Sequence, residues 1–215
     1  MYHEVTALRM QSETPRTQLV AWSAPEALRH RHREVGQVLK MDRVGGGDPV
    51  YLALASQPGD EHFETLVSPD AVDALRLREG QVATVRDIIG RGFPVGEALG
   101  KDVLLFGVGS ALGPIRAAVE AIRRRRSEFG WVRLYAGVRS GEVFPFERDF
   151  ETWTRDRIDI LACHSRPWVQ ERFLEDVPDL EDAIAFVCGM ESMMEGVTQA
   201  LTEQGLPQDR VHRNY

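Results

Sequence analysis

Short stretches in the first half of the chain alternate apolar with polar residues or carry brief apolar runs. They are "HEVTALRM" from residue 3, "TQLVAWS" from 17, "VGQVLKM" from 35, "VYLALAS" from 50, "HFETLV" from 62 and "QVATVRDI" from 81. A period of two marks a half-buried strand, and the turn formers in "SETPR", "GGGDP" and "QPGD" separate one run from the next. Many short strands without long intervening helices predict a small antiparallel barrel. One helical turn is expected in "PDAVDALRL", with Val72, Leu75 and Leu77 facing inward.

After "GEALGKD" the pattern changes to strand, helix, strand. "DVLLFGV" is continuously apolar, as a strand covered on both faces must be, and Ile115, Ala118, Val119 and Ile122 behind it share one helical face. "WVRLYAGV", "IDILACHS" and "AIAFVCG" read as further buried strands. In "ESMMEGVTQALTEQG", Met193, Val197 and Leu201 form an apolar stripe that Gly205 can cap. The expected fold class is therefore two-domain, an antiparallel β-barrel over residues 1–98 followed by a parallel α/β domain over 99–215.

Composition changes this picture little. The chain has 215 residues, 43% of them hydrophobic, enough for a sizeable core. No run approaches the roughly 18 apolar residues of a membrane helix, and "MYHEVTALRM" lacks the order of a signal peptide, so a cytoplasmic address is expected. A net charge of −7 argues against general nucleic-acid binding. The two cysteines, Cys163 and Cys188, are too few and too far apart for a cluster or a structural zinc. Positive charge gathers in "RRRR" (123–126), which suits a helix end or the docking of an acidic carrier protein. In "RHRHR" (29–33), strand alternation would put the arginines on one face and His30 with His32 on the other.

In an open parallel sheet, ligands bind beyond the carboxyl ends of the strands. Four such ends stand out: "GVGSALGP" (107–114), "GVRS" (137–140), "CHSRP" (163–167) and "CGMESMM" (188–194). Gly109 and its neighbours let backbone approach a pyrophosphate, although such turns also serve packing alone. Cys188 is either a small core residue or a thiol within reach of a nicotinamide ring.

The order of these pieces resembles the ferredoxin–NADP reductase superfamily, in which a flavin-binding barrel precedes a pyridine-nucleotide domain. The glycine turn is similar to that family's at Gly109, Pro114 and Arg116 and departs from it at Val108, Ala111 and Gly113. Cys188, Gly189 and Met193 or Met194 match its C-terminal motif, with Met190 in place of proline. The resemblance implies an NAD(P)H oxidoreductase or electron-transfer subunit holding FAD and NADP or NAD, with Ser110, Arg139 and Gly189 beside the dinucleotide. The alternative is a regulatory subunit that has kept the fold and lost the flavin.

The family's R-x-Y-S strand aligns with Val50, Leu52 and Ala53, so all three polar groups are missing. What remains is apolar packing by Leu52 and the backbone of Leu52, Ala53, Leu54 and Ala55. The amides of Gly90, Arg91, Gly92 and Phe93, together with the Arg91 guanidinium, are the expected replacement for the missing phosphate contacts. Tyr215 resembles the aromatic that covers the flavin in plant-type members. Ser165, Arg166 and Arg172 resemble the set that grips the 2′-phosphate of NADPH, although NADH-using relatives also keep Ser-Arg-Pro at this turn.

Overall fold

The computed structural model describes residues 2–176 and 178–215. Strands β1 (His3–Thr14), β2 (Thr17–Ser23), β3 (Val38–Met41), β4 (Val50–Ala53), β5 (His62–Val67) and β6 (Val82–Ile89) form one antiparallel sheet. Its order is β4-β3-β6-β1-β2-β5. A bridge from Leu54 to Thr65 brings the two outer strands together and closes the sheet into a barrel. The alternating positions meet inside, where Val5, Val20, Trp22, Leu39, Met41, Phe63 and Val85 pack. The indole N–H of Trp22 is satisfied there by Thr65 Oγ1 at 2.9 Å. Helix α2 (Pro69–Leu75) covers one mouth of the barrel with Ala74 and Leu75.

"RHRHR" is not a strand. Pro25 starts a helical turn, α1 (Glu26–Arg29), held by bonds from Arg29 N to Pro25 O (3.0 Å) and His30 N to Glu26 O (3.1 Å). The turn leaves His30 beside Glu26 in solvent and carries His32 inward, 4% exposed, with its ring edge toward Phe63. Local i+3 and i+4 bonding therefore overrides the alternating pattern.

The second sheet is wholly parallel and runs β11-β10-β7-β8-β9. Its members are β7 (Asp102–Val108), β8 (Val132–Val138), β9 (Ile158–His164), β10 (Ala183–Cys188) and β11 (Val211–Arg213). Along β7 the side chains divide: Val103 and Leu105 join α3 (Leu112–Arg123) and α4 (Glu147–Arg155) on one face. Leu104 and Phe106 join α5 (Val169–Asp176) and α6 (Glu191–Glu203) on the other. β9 differs from the buried strand expected of it. It lies at the sheet edge, so Asp159 is exposed and Ile160 and Leu161 are half-buried. None of the described helices is long and apolar enough to cross a membrane.

The four-arginine run closes α3 by pairing. Arg123 bonds Asp156 and Glu120, Arg125 bonds Glu128, and Arg126 caps the carbonyls of Phe129, Gly130 and Arg157. Three of its four charges are paired or cap carbonyls near the end of the helix, while Arg124 and Arg125 are exposed.

Helix α3 also seats the second sheet on the barrel. A Cβ added at Gly113 would lie 2.9 Å from Leu66 Cβ of β5, so only glycine allows this approach. Gln57 donates to the Ala117 carbonyl (2.7 Å), and Arg116 pairs with Glu64 (3.0 Å). The carboxyl ends of β7 and β10 thereby face β4.

His32 predicts a pH dependence. Burial pulls its pKa down from 6.5 to about 4, partly opposed by Asp60. The native state holds it neutral while the unfolded chain takes up a proton below 6.5. Its contribution is complete above that pH and is lost as pH falls through about 4. Unfolding free energy should drop by about 3 kcal/mol across this window through His32 alone. Denaturant titrations of the wild type and His32→Leu will show this as a slope that the variant lacks; equal slopes would count against it.

Candidate functional site

Two cavities meet at the carboxyl ends of the parallel strands. The first, about 370 Å³, lies over the ends of β7, β8 and β9 and the starts of α5 and α6. Gly137 makes its floor, because a Cβ there would stand 3.0 Å from Val108 and 3.1 Å from Val169. Arg139 and Ser165 line it, as do Trp168, Gln170, Ser192 and Met193. Ser165 adopts a left-handed backbone (φ 63°), which turns its hydroxyl to accept a bond from the Ser140 amide at 2.7 Å. The ring of Trp168, about half exposed, forms an open wall.

The second cavity, about 280 Å³, lies between the barrel and the parallel sheet. Tyr51, Leu52, Ala53, Leu66, Ser68 and Ala71 face Ser110, Ala111, Cys188 and Gly189 across it. Val108 and Met190 line both cavities and so form their common wall. Gly109 makes the left-handed turn between Val108 and Ser110 (φ 59°), and a Cβ there would meet nothing within 4 Å.

Several residues singled out from sequence do come together here: Leu52, Ala53, Ser110, Cys188 and Gly189 in the second cavity, Arg139 and Ser165 in the first. Others do not. Leu54 and Ala55 are buried outside its lining, and their amides already donate to the Gln37 and Glu64 carbonyls at 2.7 Å. Phe93 is a core residue stacked on Phe186, and the amides of Gly92 and Phe93 donate to Asn214 O (3.1 Å) and Val35 O (2.8 Å). Gly90 packs directly on the Asn214 carbonyl, and Arg91 is exposed beside them. This turn anchors residue 214, and two of its amides, those of Gly92 and Phe93, are already bonded within the protein. Pro114 is buried in α3, facing Gly36 of the barrel. Arg166 and Arg172 lie outside the cavity lining and are paired with Glu171 (2.9 Å) and Glu175 (3.0 Å).

Tyr215 is exposed, with its ring centroid 5.7 Å from that of Tyr51 at the mouth of the second cavity. Asn214 before it is buried and donates to the Gly36 carbonyl at 2.9 Å.

Sequence reasoning missed Trp168, Gln170 and Ser192, and treated Met190 only as a substitute for proline. The available signal was position: each follows a strand end by a few residues. Among the described residues that line the two cavities, Arg139 carries the one charged side chain. Burial pushes the Cys188 thiol up to about 12, so it is a neutral, apolar wall at physiological pH, and burial raises Cys163 as well.

Residues 105–199 match the model of the oxidoreductase NAD-binding domain family. The chain is 27% identical over 188 residues to fruit protein pKIWI502 of Actinidia deliciosa, covering 76% of this chain and 58% of that one. It thus spans less than two thirds of that relative's length. It is 25% identical over 221 residues to the sulfhydrogenase 1 subunit gamma of Pyrococcus furiosus, covering 94% and 75%. A crystal structure of a Neisseria gonorrhoeae ferredoxin NADP+ reductase with bound FAD and NADP superposes with a TM-score of 0.79 at 17% identity, covering 100% and 99%. The chain thus shares the fold of ferredoxin NADP+ reductases, and residues 105–199 are similar to the oxidoreductase NAD-binding domain.

The neutral, 7%-exposed thiol of Cys188 should resist alkylation. At pH 8, iodoacetamide should label it at least about tenfold more slowly in the native protein than in denaturant, followed by peptide mass spectrometry. Rapid native labelling would mean an activated thiolate.

Proposed function

We propose that the chain is an NAD(P)H-dependent flavin oxidoreductase or an electron-transfer subunit of that kind. Residues 1–98 would present the flavin ring and 99–215 the dinucleotide. The observation that carries this reading is the shared wall. A dinucleotide lying in the first cavity reaches the second only past Val108 and Met190, where its nicotinamide end would face a ring held against Leu52 and Ala53.

The lining of the second cavity suits a three-ring system, since Leu52, Ala53, Leu66, Ala71 and Met190 offer apolar packing around few polar groups. Bound there, the flavin would supply two-electron acceptance from nicotinamide and one-electron delivery to a carrier. The protein's part is positioning. Leu52 and Leu66 exclude water, Gly189 lets backbone approach closely, and the neutral Cys188 adds bulk without competing charge. Tyr215 and Tyr51 flank the mouth through which an acceptor would approach. Two reduced cysteines suit a cytoplasmic address.

The phosphate end fits less well. Neither lysine nor arginine lines the second cavity, and the amides of Gly92 and Phe93 are already bonded within the protein. The flavin is accordingly expected to be held loosely. The same observation favours the second reading, a dinucleotide-binding or regulatory subunit without flavin.

Absorbance and fluorescence titration separate the two. The oxidoreductase reading expects freshly purified protein to carry little flavin, to bind added FAD with quenched fluorescence, and to lose at least about tenfold in affinity on Ala53→Trp, which fills the second cavity. Colourless protein that takes up no FAD at any concentration would leave the flavin-less subunit.

A further inference from the structure

We infer that Glu13 and Arg16, at the tip of the β1–β2 hairpin, are positioning residues for Arg139, so that the barrel sets the affinity of the first cavity for its ligand. This rests on the reading of that cavity as the dinucleotide site.

Among the described residues Arg139 is the one charged side chain lining the cavity, and a dinucleotide brings a pyrophosphate to it. The segment 139–146 that Arg139 begins joins β8 to α4 without helix or strand. A guanidinium on a loose segment must be ordered when the ligand binds, and that ordering costs affinity.

Two of the holds on this segment come from the barrel. Glu13, its side chain 4% exposed, accepts the Phe146 amide on one oxygen (3.1 Å) and Arg148 on the other (3.0 Å). Phe146 precedes α4 with a left-handed backbone (φ 62°), a conformation that a phenylalanine keeps only where its surroundings hold it. The carboxylate also faces the positive end of α4. Arg16 pairs with Glu142 at 3.3 Å, and the other oxygen of Glu142 lies 3.4 Å from the Arg139 amide. The Glu142 amide donates in return to the Arg139 carbonyl at 3.0 Å. One carboxylate thus joins the hairpin to the backbone of the residue that lines the cavity.

The hairpin is stiff at its tip. Thr14 and Thr17, both buried, share a hydrogen bond between their hydroxyls at 2.9 Å, and Pro15 restricts the turn between them. The parallel domain adds the Phe144 ring, buried against Phe150 and His164, and the bond from the Ser140 amide to Ser165. Once the hairpin contacts are cut, Phe146 loses the acceptor of its amide and Glu142 its cation, and Arg139 is left to the Ser140–Ser165 bond beside it.

The test is calorimetric titration of the full chain with NADH and with NADPH, without any electron acceptor, the tighter nucleotide serving for the variants. Glu13→Ala should weaken binding about tenfold. Glu13→Gln keeps an acceptor for the Phe146 amide while Arg148, 57% exposed, turns to water, and should stay within about threefold of wild type. Arg16→Ala changes a side chain that is 59% exposed, so the fold tolerates it, and should weaken binding about threefold. Arg139→Ala should itself cost about tenfold, and in that background Glu13→Ala and Arg16→Ala should each change affinity by less than about twofold, because the group they position is gone. A general loosening of the fold would persist there. If Glu13→Ala does not fold, the Arg16→Ala cycle decides alone. Losses that add to that of Arg139→Ala, wild-type affinity in Arg139→Ala or in Arg16→Ala, or a Glu13→Gln loss as large as that of Glu13→Ala would each overturn the inference while leaving the dinucleotide site intact. Binding of neither nucleotide by the wild type would overturn the site itself.

Discussion

Everything at the proposed site depends on how closely α3 can lie on the barrel. Gly113 meets β5 at Leu66 with no room for a side chain, and Leu66 in turn lines the second cavity. One van der Waals contact thus both seats the parallel sheet and builds a wall of the space between the two sheets. Gln57 and Arg116 fix the rotation about that contact through bonds to the Ala117 carbonyl and Glu64. If α3 stood off by the width of a methyl group, the ends of β7 and β10 would retreat from β4 and the two cavities would no longer share Val108 and Met190.

On the proposed reading the chemistry is one of placement. Cys188 is protonated, the second cavity is lined mainly by apolar groups, and among the described residues Arg139 is the one charged side chain lining the first, with Arg166 and Arg172 paired to carboxylates outside it. Such a lining suits the proposed hydride transfer between cofactors that supply their own reactivity.

The strands were legible because burial imposes a period: two in the half-buried barrel strands, unbroken apolar runs in the core of the parallel sheet. Cys188, Gly189, Ser110, Arg139 and Ser165 could be named in advance because strand ends in a parallel sheet converge. What sequence could not supply was the identity of each group's partner. Leu54 and Ala55 continue an apolar run, yet their amides are taken by Gln37 and Glu64. Gly92 and Phe93 are occupied by residues far along the chain, Asn214 among them. Arg166 bonds Glu171, five positions on, a partner that its place in Ser-Arg-Pro does not reveal. α1 was misread because two histidines between arginines imitate strand alternation, whereas Pro25 and local hydrogen bonds decide the turn.

The central claim is that the two cavities form one path from dinucleotide to flavin. Anaerobic mixing of FAD-loaded protein with excess NADH, followed by flavin absorbance in a stopped-flow instrument, addresses it directly. The account predicts bleaching of the bound flavin in a single-turnover phase that saturates with NADH concentration. Flavin that stays oxidised while both ligands are bound would contradict it.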